Sequence, residues 1–187
     1  MANQYPLRKK QKISFKVCVF GDGGVGKTTL IKKYVTGIFS DSTIMTIGVD
    51  FHVKQLEIGD HLVSLQIWDF AGEDRFRFLL PAYVRGAAGG VFMFDITRFS
   101  SLKNINTWSE VIDVCTDETT RPLPIILVGS KLDLAEKRAI DSNYGIQLKD
   151  ENELFIDYLE SSSLTGENVE RIFTILAEEM LKRKSLM

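Results

Sequence analysis

The sequence predicts a three-layer α/β sandwich, in which a six-stranded, mostly parallel sheet with one antiparallel edge strand packs between about five helices. Short apolar runs, typical of strands buried on both faces, alternate with stretches of helical periodicity. Two further runs of alternating polarity are joined by Gly59 and Asp60, which suit a two-residue hairpin turn. The alternation therefore predicts the parallel sheet, and the hairpin predicts its antiparallel edge.

Six strands are expected in chain order, the first β-branched and the last the weakest: residues 13–20, 52–58, 62–68, 90–94, 125–128 and 154–156. Apolar residues at helical spacing indicate helices over residues 27–35, 102–115, about 142–149, and 169–182. A single domain is expected over residues 13–183, between a flexible basic tail at 1–12 and a short tail at 184–187.

The composition is that of a globular protein, with 44% hydrophobic residues, 26% charged residues and a net charge of -2. This charge gives no reason to expect nucleic acid as a partner. No signal peptide and no transmembrane segment are expected, because the apolar runs are too short. No cysteine lies near the C-terminus, so a prenylation motif is not expected either. These features predict a cytoplasmic protein that is at most peripherally associated with membranes.

A glycine-rich segment between the first strand and the first helix matches the phosphate-binding P-loop pattern G-x-x-x-x-G-K-[ST]. Glycines permit positive φ, so that successive N–H groups can point at phosphates beside the helix N-terminus. Lys27 is expected to reach the β- and γ-phosphates, and the Thr28 hydroxyl to bind Mg²⁺. The candidate nucleotide-binding residues here are Gly21, Asp22, Gly23, Gly24, Val25, Gly26, Lys27, Thr28 and Thr29.

The P-loop alone names neither the base nor the reaction, because nucleotide kinases, motor ATPases and GTPases share it. Asp69 stands at the end of the third predicted strand and is followed by Gly72 in a D-x-x-G pattern. A carboxylate in that place can hold Mg²⁺ through a water molecule. The pattern is also common in turns, but its position after the strand favours a metal site.

The chain resembles the Ras-superfamily small GTPases and is most similar to the Rab family. The resemblance runs from about Ile13 to Arg183. The matching blocks are TIGVDF at 46–51, LQIWD at 65–69, RFR at 75–77, YVRGA at 83–87, DIT at 95–97, ESS at 160–162 and TGENV at 165–169.

The resemblance implies a role for each matching position. Phe39 would stack beside guanine, Thr46 would close on Mg²⁺ and the γ-phosphate when GTP is bound, and the Gly72 N–H would contact the γ-phosphate. Lys131 and Asp133 would clamp the base. A carboxylate accepts two N–H bonds from the edge of guanine that adenine cannot supply. Without the resemblance, these two residues would be assigned to a solvated charged loop.

The same resemblance implies a last guanine-binding loop formed by Ser162, Ser163 and Leu164. It also implies an exposed effector surface, although Trp68 is equally compatible with a place in the core. The members of this surface are Ile47, Phe51, Trp68 and Tyr83.

Three departures from the family pattern matter. Glu73 replaces the Gln that orients the attacking water, and its negative charge beside the γ-phosphate predicts slow hydrolysis or a loop held away from the phosphate. The alternatives for Glu73 are a surface residue with no part in hydrolysis and a base that accepts a proton from water. Ser130 replaces an Asn that ties the base loop to the P-loop, so that bridge is expected to weaken or to run through water. Ser163 and Leu164 replace Ala and Lys, which leaves the strength of the guanine preference open.

The expected function is a switch that binds GTP or GDP with Mg²⁺ and hydrolyses GTP slowly, with effectors, exchange factors and GTPase-activating proteins as partners in vesicle trafficking. The expected catalytic residues are Lys27, Thr46, Gly72 and Glu73. No arginine is clearly placed to act as a built-in finger. Two alternatives are a GTP-loaded scaffold that hardly hydrolyses and a P-loop kinase, which would need an arginine-rich lid that the sequence lacks.

Overall fold

The computed structural model describes residues 10–40, 46–72, 80–115 and 122–185. Its sheet has six strands in the order β2-β3-β1-β4-β5-β6, and only the β2–β3 pairing is antiparallel. The strands are β1 (Gln11–Phe20), β2 (Val49–Ile58), β3 (His61–Phe70), β4 (Gly89–Asp95), β5 (Ile125–Ser130) and β6 (Phe155–Ser161). The described α-helices are α1 (Lys27–Thr36), α2 (Leu80–Val84), α3 (Ile105–Cys115), α4 (Ser142–Asp150) and α5 (Val169–Ser185).

All six predicted strands and all four predicted helices are present, and the predicted fold class is confirmed. The observed strand ends differ from the predicted ones where backbone hydrogen bonding continues beyond the run of apolar residues. β1 begins at Gln11 because Gln11 and Lys12 continue the parallel ladder with β3. The predicted helix over 102–115 divides into a 3-10 turn (Phe99–Leu102) and α3. Residues 1–9 and 186–187 lie outside the described residues, so the two tails stay predictions.

The last strand extends well beyond the three apolar residues that predicted it. β6 runs from Phe155 to Ser161 and pairs in parallel with β5. Its polar residues Tyr158 and Glu160 interrupt the apolar run from which a buried strand is predicted. Their side chains nevertheless have hydrogen-bond partners inside the fold. A polar network therefore adds to the apolar contacts of Phe155 and Leu159 in holding this end of the sheet.

The sheet separates two apolar clusters, and consecutive residues of β1 pack into the cluster on one face and the cluster on the other in turn. Val17 and Val19 pack with α1 and α5, where Tyr34 stacks on Phe173 with ring centroids 4.0 Å apart. Cys18 and Phe20 pack on the other face, with residues of α2 and α3. This is the alternation expected of a strand buried on both sides, and it gives the three layers.

The topology brings the carboxyl ends of five parallel strands to one edge of the sheet, because β1, β3, β4, β5 and β6 run in the same direction. In open α/β sheets, ligands bind in the crevice outside that edge. None of the helices in the described ranges is long and apolar enough to cross a bilayer.

Candidate functional site

The glycine loop connects β1 to α1 at the carboxyl edge of the sheet. Gly21, Gly24 and Gly26 have φ angles of 128°, 74° and 96°, which disfavour any residue with a side chain. A Cβ at Gly21 would also collide with the carbonyl oxygen of Met93 in β4. The glycines of the motif are therefore required by backbone geometry at these positions.

Lys27, the first residue of α1, is held by the loop itself. Its Nζ donates to the carbonyls of Gly21 at 2.8 Å and Asp22 at 2.9 Å. Burial lowers the pKa of Lys27 to about 8; the nearby carboxylates of Asp69 and Asp22 oppose that shift, and the Arg98 charge adds to it. The loop thus places a buried cation at the start of the helix, where the sequence motif predicts a phosphate contact.

Three oxygen groups predicted to hold Mg²⁺ meet beside Lys27. The Thr28 hydroxyl donates to Asp69 Oδ2 at 2.5 Å and lies 2.8 Å from the Thr46 hydroxyl, which is 3.4 Å from the same carboxylate oxygen. Asp69 is fully buried, and burial raises its pKa, against the opposing effects of Thr28 and Lys27. Its Oδ1 has no hydrogen-bond partner among the described residues.

This arrangement fits Mg²⁺, which prefers oxygen ligands and is often held by one or two protein groups together with water and phosphate. An unpartnered oxygen on a buried carboxylate is costly unless something else satisfies it. Thr28, Thr46 and Asp69 would hold the ion, with Asp69 acting through water.

The segment after β3 lies against the glycine loop. A Cβ at Gly72 would collide with the backbone of Asp22 and Gly23, so only glycine allows this approach. The Ala71 N–H also donates to the Gly48 carbonyl at 2.9 Å, which joins this segment to the one that carries Thr46. Glu73, the next residue, lies outside the described residues.

The bridge at Ser130 is direct, and it is made by the side-chain hydroxyl itself. The Ser130 hydroxyl lies 2.6 Å from the Val25 carbonyl in the glycine loop and 2.7 Å from the Phe94 carbonyl in β4. The hydroxyl has one proton, so it donates to one of these two carbonyls at a time. A side chain shorter than Asn suffices because the loop backbone comes directly to the end of β5.

The two halves of the predicted base clamp are each held by a protein partner. Lys131, with a positive φ of 66°, directs its Nζ to Asp95 Oδ2 at 2.7 Å. Asp95 is buried, which would raise its pKa, but hydrogen bonds from Lys131 and Thr97 outweigh this and hold the pKa below its ordinary value. Asp133 Oδ1 accepts from the Ser162 hydroxyl at 2.5 Å.

The last predicted loop is ordered around Ser162, which is fully buried and accepts from the Thr165 N–H at 3.2 Å. Ser163 is half-buried and Leu164 is 51% exposed. Phe39 is half-buried in the segment after α1, and its ring makes no aromatic contact within the described part of the chain. Asp133 and Ser162 are therefore joined directly by a hydrogen bond.

Three side chains that the sequence did not single out also reach the glycine loop. Asn104 Nδ2 and Trp108 Nε1 donate to the two carboxylate oxygens of Asp22, at 2.9 and 3.1 Å. Arg98 Nη2 donates to the Gly23 carbonyl at 2.7 Å. These contacts join residues 75 to 86 positions apart, and no local pattern signals them.

Three of the four residues of the predicted effector surface form a row of contacting rings. Ile47 is 81% exposed and Phe51 is 47% exposed. Phe51 contacts Trp68 with centroids 5.3 Å apart, and Trp68 contacts Tyr83 at 5.7 Å. Trp68 and Tyr83 are half-buried and pack against the core on the α2 side, so Trp68 has a place in the core, and its role in effector binding stays a prediction.

A model of the Ras family of proteins matches residues 16–182. The chain belongs to the Ras family. It is 38% identical over 168 residues to a Ras-related protein Rab-8B of Dictyostelium discoideum, covering 90% of this chain and 80% of that protein. It is 36% identical over 173 residues to a Ras-related protein Rab-1 of Theileria parva, covering 92% and 76% respectively. The chain is thus a Rab-like small GTPase, of a family whose members bind GTP and GDP with Mg²⁺ and act as switches.

In this Rab-like chain, a polar network around Glu160 supports the last loop that is predicted to bind guanine. Arg138 donates to both Glu160 carboxylate oxygens, at 2.6 and 2.7 Å. Tyr158 and Ser142 donate to the same carboxylate at 2.7 and 2.9 Å, and Asn168 donates to the Glu160 carbonyl at 2.7 Å. Glu160 lies one residue before the end of β6 at Ser161, so the network fixes the strand end from which that loop departs.

Glu160→Gln is expected to lower the free energy of unfolding by about 1–3 kcal/mol at neutral pH, because it leaves Arg138 without a counter-charge. Burial raises the pKa of Glu160, but hydrogen bonds from Arg138, Tyr158 and Ser142 outweigh it, so the pKa lies below its ordinary 4.5. A carboxylate with a lowered folded-state pKa stabilises the fold above its unfolded-state pKa and loses that effect as pH falls through the folded value.

Urea unfolding of Glu160→Gln and the natural chain should therefore differ by a constant amount above about pH 4.5, and the difference should shrink below it. The exposed Glu153→Gln is the matched control and should differ little from the natural chain at any pH. A Glu160→Gln effect that does not change with pH would contradict this account of the network.

Proposed function

We propose that the chain is a switch that binds GTP and GDP with Mg²⁺, hydrolyses GTP slowly, and presents the surface formed by Ile47, Phe51, Trp68 and Tyr83 to effector proteins. The observation that carries the proposal is the meeting of the Thr28 and Thr46 hydroxyls at the buried Asp69 carboxylate, beside Lys27 and the glycine loop.

The phosphate end of the site is formed by groups that recognise anions. The glycine loop, with Thr29 in the first turn of α1, would surround the phosphates with N–H groups, and Lys27 would exchange its two carbonyl partners for phosphate oxygens. Mg²⁺, when bound, neutralises charge on the β- and γ-phosphate oxygens. Thr28 and Asp69 would orient toward the ion, and Asp69 Oδ1 would gain the partner that it lacks among the described residues.

The base end of the site supports guanine. Asp133, already oriented by Ser162, would accept both N–H groups from the guanine edge. Lys131 would cover the base while its Nζ remains near Asp95. Ser163 would offer its backbone N–H to the guanine oxygen, and Leu164 and Phe39 would pack beside the ring.

The proposed switch depends on the small number of residues along the chain between the metal site and the aromatic surface. Thr46 directly precedes Ile47 and lies in the segment that leads into β2 and Phe51, and Asp69 directly follows Trp68. The γ-phosphate of GTP would hold Thr46 and the Gly72 N–H, and its loss would release both segments together, since the Ala71–Gly48 hydrogen bond joins them.

Glu73 supports slow turnover. Where a Gln orients water, a carboxylate repels the negatively charged γ-phosphate and offers no N–H donor. Exchange factors and GTPase-activating proteins would then set the lifetime of each state. The proposal includes a role in vesicle trafficking and a cytoplasmic location with at most peripheral membrane association.

GTP is expected to displace a fluorescent guanine nucleotide at least about a hundred-fold better than ATP, because adenine leaves the Asp133 carboxylate unpaired. Asp133→Ala should remove most of this preference. Glu136→Ala, which removes an exposed acid from the same segment, should keep it. Equal displacement by GTP and ATP in the natural chain would overturn the guanine assignment.

Glu73→Gln is expected to speed single-turnover GTP hydrolysis by about ten-fold or more, because it restores a neutral side chain that can orient water. Asp74→Asn removes a neighbouring negative charge and is expected to change the rate little. An unchanged or slower Glu73→Gln variant would contradict this role. A natural chain with no measurable turnover over hours would favour the scaffold alternative.

Exchange of GDP for a non-hydrolysable GTP analogue is expected to change the tryptophan emission, because Trp68 adjoins the metal site. The chain has two tryptophans, so Trp68→Phe should abolish most of the change, whereas Trp108→Phe should retain it. A change that survives in Trp68→Phe and disappears in Trp108→Phe would place the response in α3 instead of the proposed surface.

A further inference from the structure

Arg98 contacts the glycine loop and has no role in the switch as proposed above. It follows β4 and directly precedes the 3-10 turn Phe99–Leu102. Its Nη2 donates to the Gly23 carbonyl at 2.7 Å. A Cβ at Gly24 would lie 3.8 and 3.9 Å from its two terminal nitrogens, so the guanidinium covers two consecutive residues of the loop.

The backbone that carries Arg98 is held firmly. The Arg98 N–H donates to the Asp95 carbonyl at 3.0 Å, and the Arg98 carbonyl accepts from the Ser101 N–H at 3.0 Å and from the Ser101 hydroxyl at 2.7 Å. Ser101 is buried, and its Oγ also accepts from the Asp95 N–H at 3.0 Å. Only the long side chain of Arg98 remains to be ordered, which lowers the entropic cost of using it.

Arg98 forms no ion pair with a carboxylate within the described part of the chain, and the one hydrogen bond of its side chain there goes to the neutral Gly23 carbonyl. A guanidinium has five N–H donors in a planar fork that matches phosphate oxygens. An exposed arginine that lies over a phosphate-binding loop, with most of its donors uncommitted among the described residues, is suited to a phosphate.

We propose that Arg98 is a catalytic arginine supplied by this chain itself, which contacts the γ-phosphate of bound GTP and stabilises the charge that develops during hydrolysis. This inference rests on the proposed function. In the reaction, a water oxygen forms a bond to the γ-phosphorus while the bond to the β,γ-bridging oxygen breaks. GDP keeps the electron pair of that bond, and the proton of water passes to the released phosphate. Arg98 transfers no proton, and it contributes positive charge and orientation.

Arg98 and Glu73 act on the same step in opposite directions. Glu73 lacks the donor that orients water, whereas Arg98 supplies charge that many relatives of this reaction class receive from a second protein. The chain would then turn over slowly but without the need for an arginine from a partner. The competing possibility is that Arg98 only braces the loop through Gly23, in which case GDP and GTP would be affected alike.

Aluminium fluoride, which together with bound GDP imitates the γ-phosphoryl group in the transition state, separates these roles without turnover. The full chain loaded with a fluorescent GDP is titrated with aluminium fluoride, with no other protein present. We expect the natural chain to bind it and Arg98→Ala to lose at least about ten-fold in its apparent affinity. Arg98→Lys should fail as well, because an ammonium lacks the fork.

The release rate of GDP supplies the second readout. Arg98→Ala should change it by less than about three-fold, while single-turnover hydrolysis falls in parallel with aluminium fluoride binding. Lys103→Ala removes an exposed cation shortly after Arg98 and should match the natural chain in every measurement. Unchanged thermal unfolding of the variants would exclude a general loss of structure.

Three results would overturn the inference. They are aluminium fluoride binding that Arg98→Ala retains, a loss of GDP affinity equal to the loss of aluminium fluoride affinity, and a natural chain that does not respond to aluminium fluoride although it binds GDP. Failure of the natural chain to bind fluorescent GDP would overturn the proposed function and this inference with it. The two failures are therefore distinguishable.

Discussion

The rest of the site depends on one buried carboxylate, that of Asp69 at the end of β3. A charge without solvent is costly, and burial raises its pKa. The fold offsets this cost with two threonine hydroxyls and the nearby Lys27 ammonium, and it leaves Asp69 Oδ1 without a partner in the described protein. Lys27 and Thr28 belong to the glycine loop and α1, and Thr46 to the segment before β2, so three parts of the chain meet at one group. A divalent cation with phosphate oxygens would complete that group, which would couple the nucleotide to loop conformation in the proposed switch.

Asp95 has a comparable role on the other side of the crevice, because it connects the two ends of the site. Its carboxylate holds Lys131, the predicted cover of the base, and the Thr97 hydroxyl. Its carbonyl holds the backbone of Arg98, whose side chain reaches the glycine loop. Asp95, the last residue of β4, thereby fixes the position of Lys131, the predicted base contact, relative to Arg98, which contacts the glycine loop. Neither end of the proposed site can shift far without disturbing β4.

The sheet could be predicted because strands buried on both faces leave continuous apolar runs, and the glycine loop because only glycine adopts its φ angles. The roles of Thr46, Lys131 and Asp133 came from resemblance to a family, since their local sequence is compatible with an ordinary loop. The direct bridge from Ser130 was not predicted, because it depends on the position of the Val25 backbone, which no sequence pattern gives. Arg98 was missed for a similar reason: its contact joins residues 75 positions apart through the packing of β4 against β1.

The most direct test of the central claim is to identify the nucleotide that accompanies the protein through purification and to measure its release with and without a chelator of Mg²⁺. The account predicts GDP or GTP, retained while Mg²⁺ is present and released when the ion is removed, because Thr28, Thr46 and Asp69 hold the ion that helps to hold the phosphates. An adenine nucleotide, or a guanine nucleotide whose release is indifferent to chelation, would contradict it.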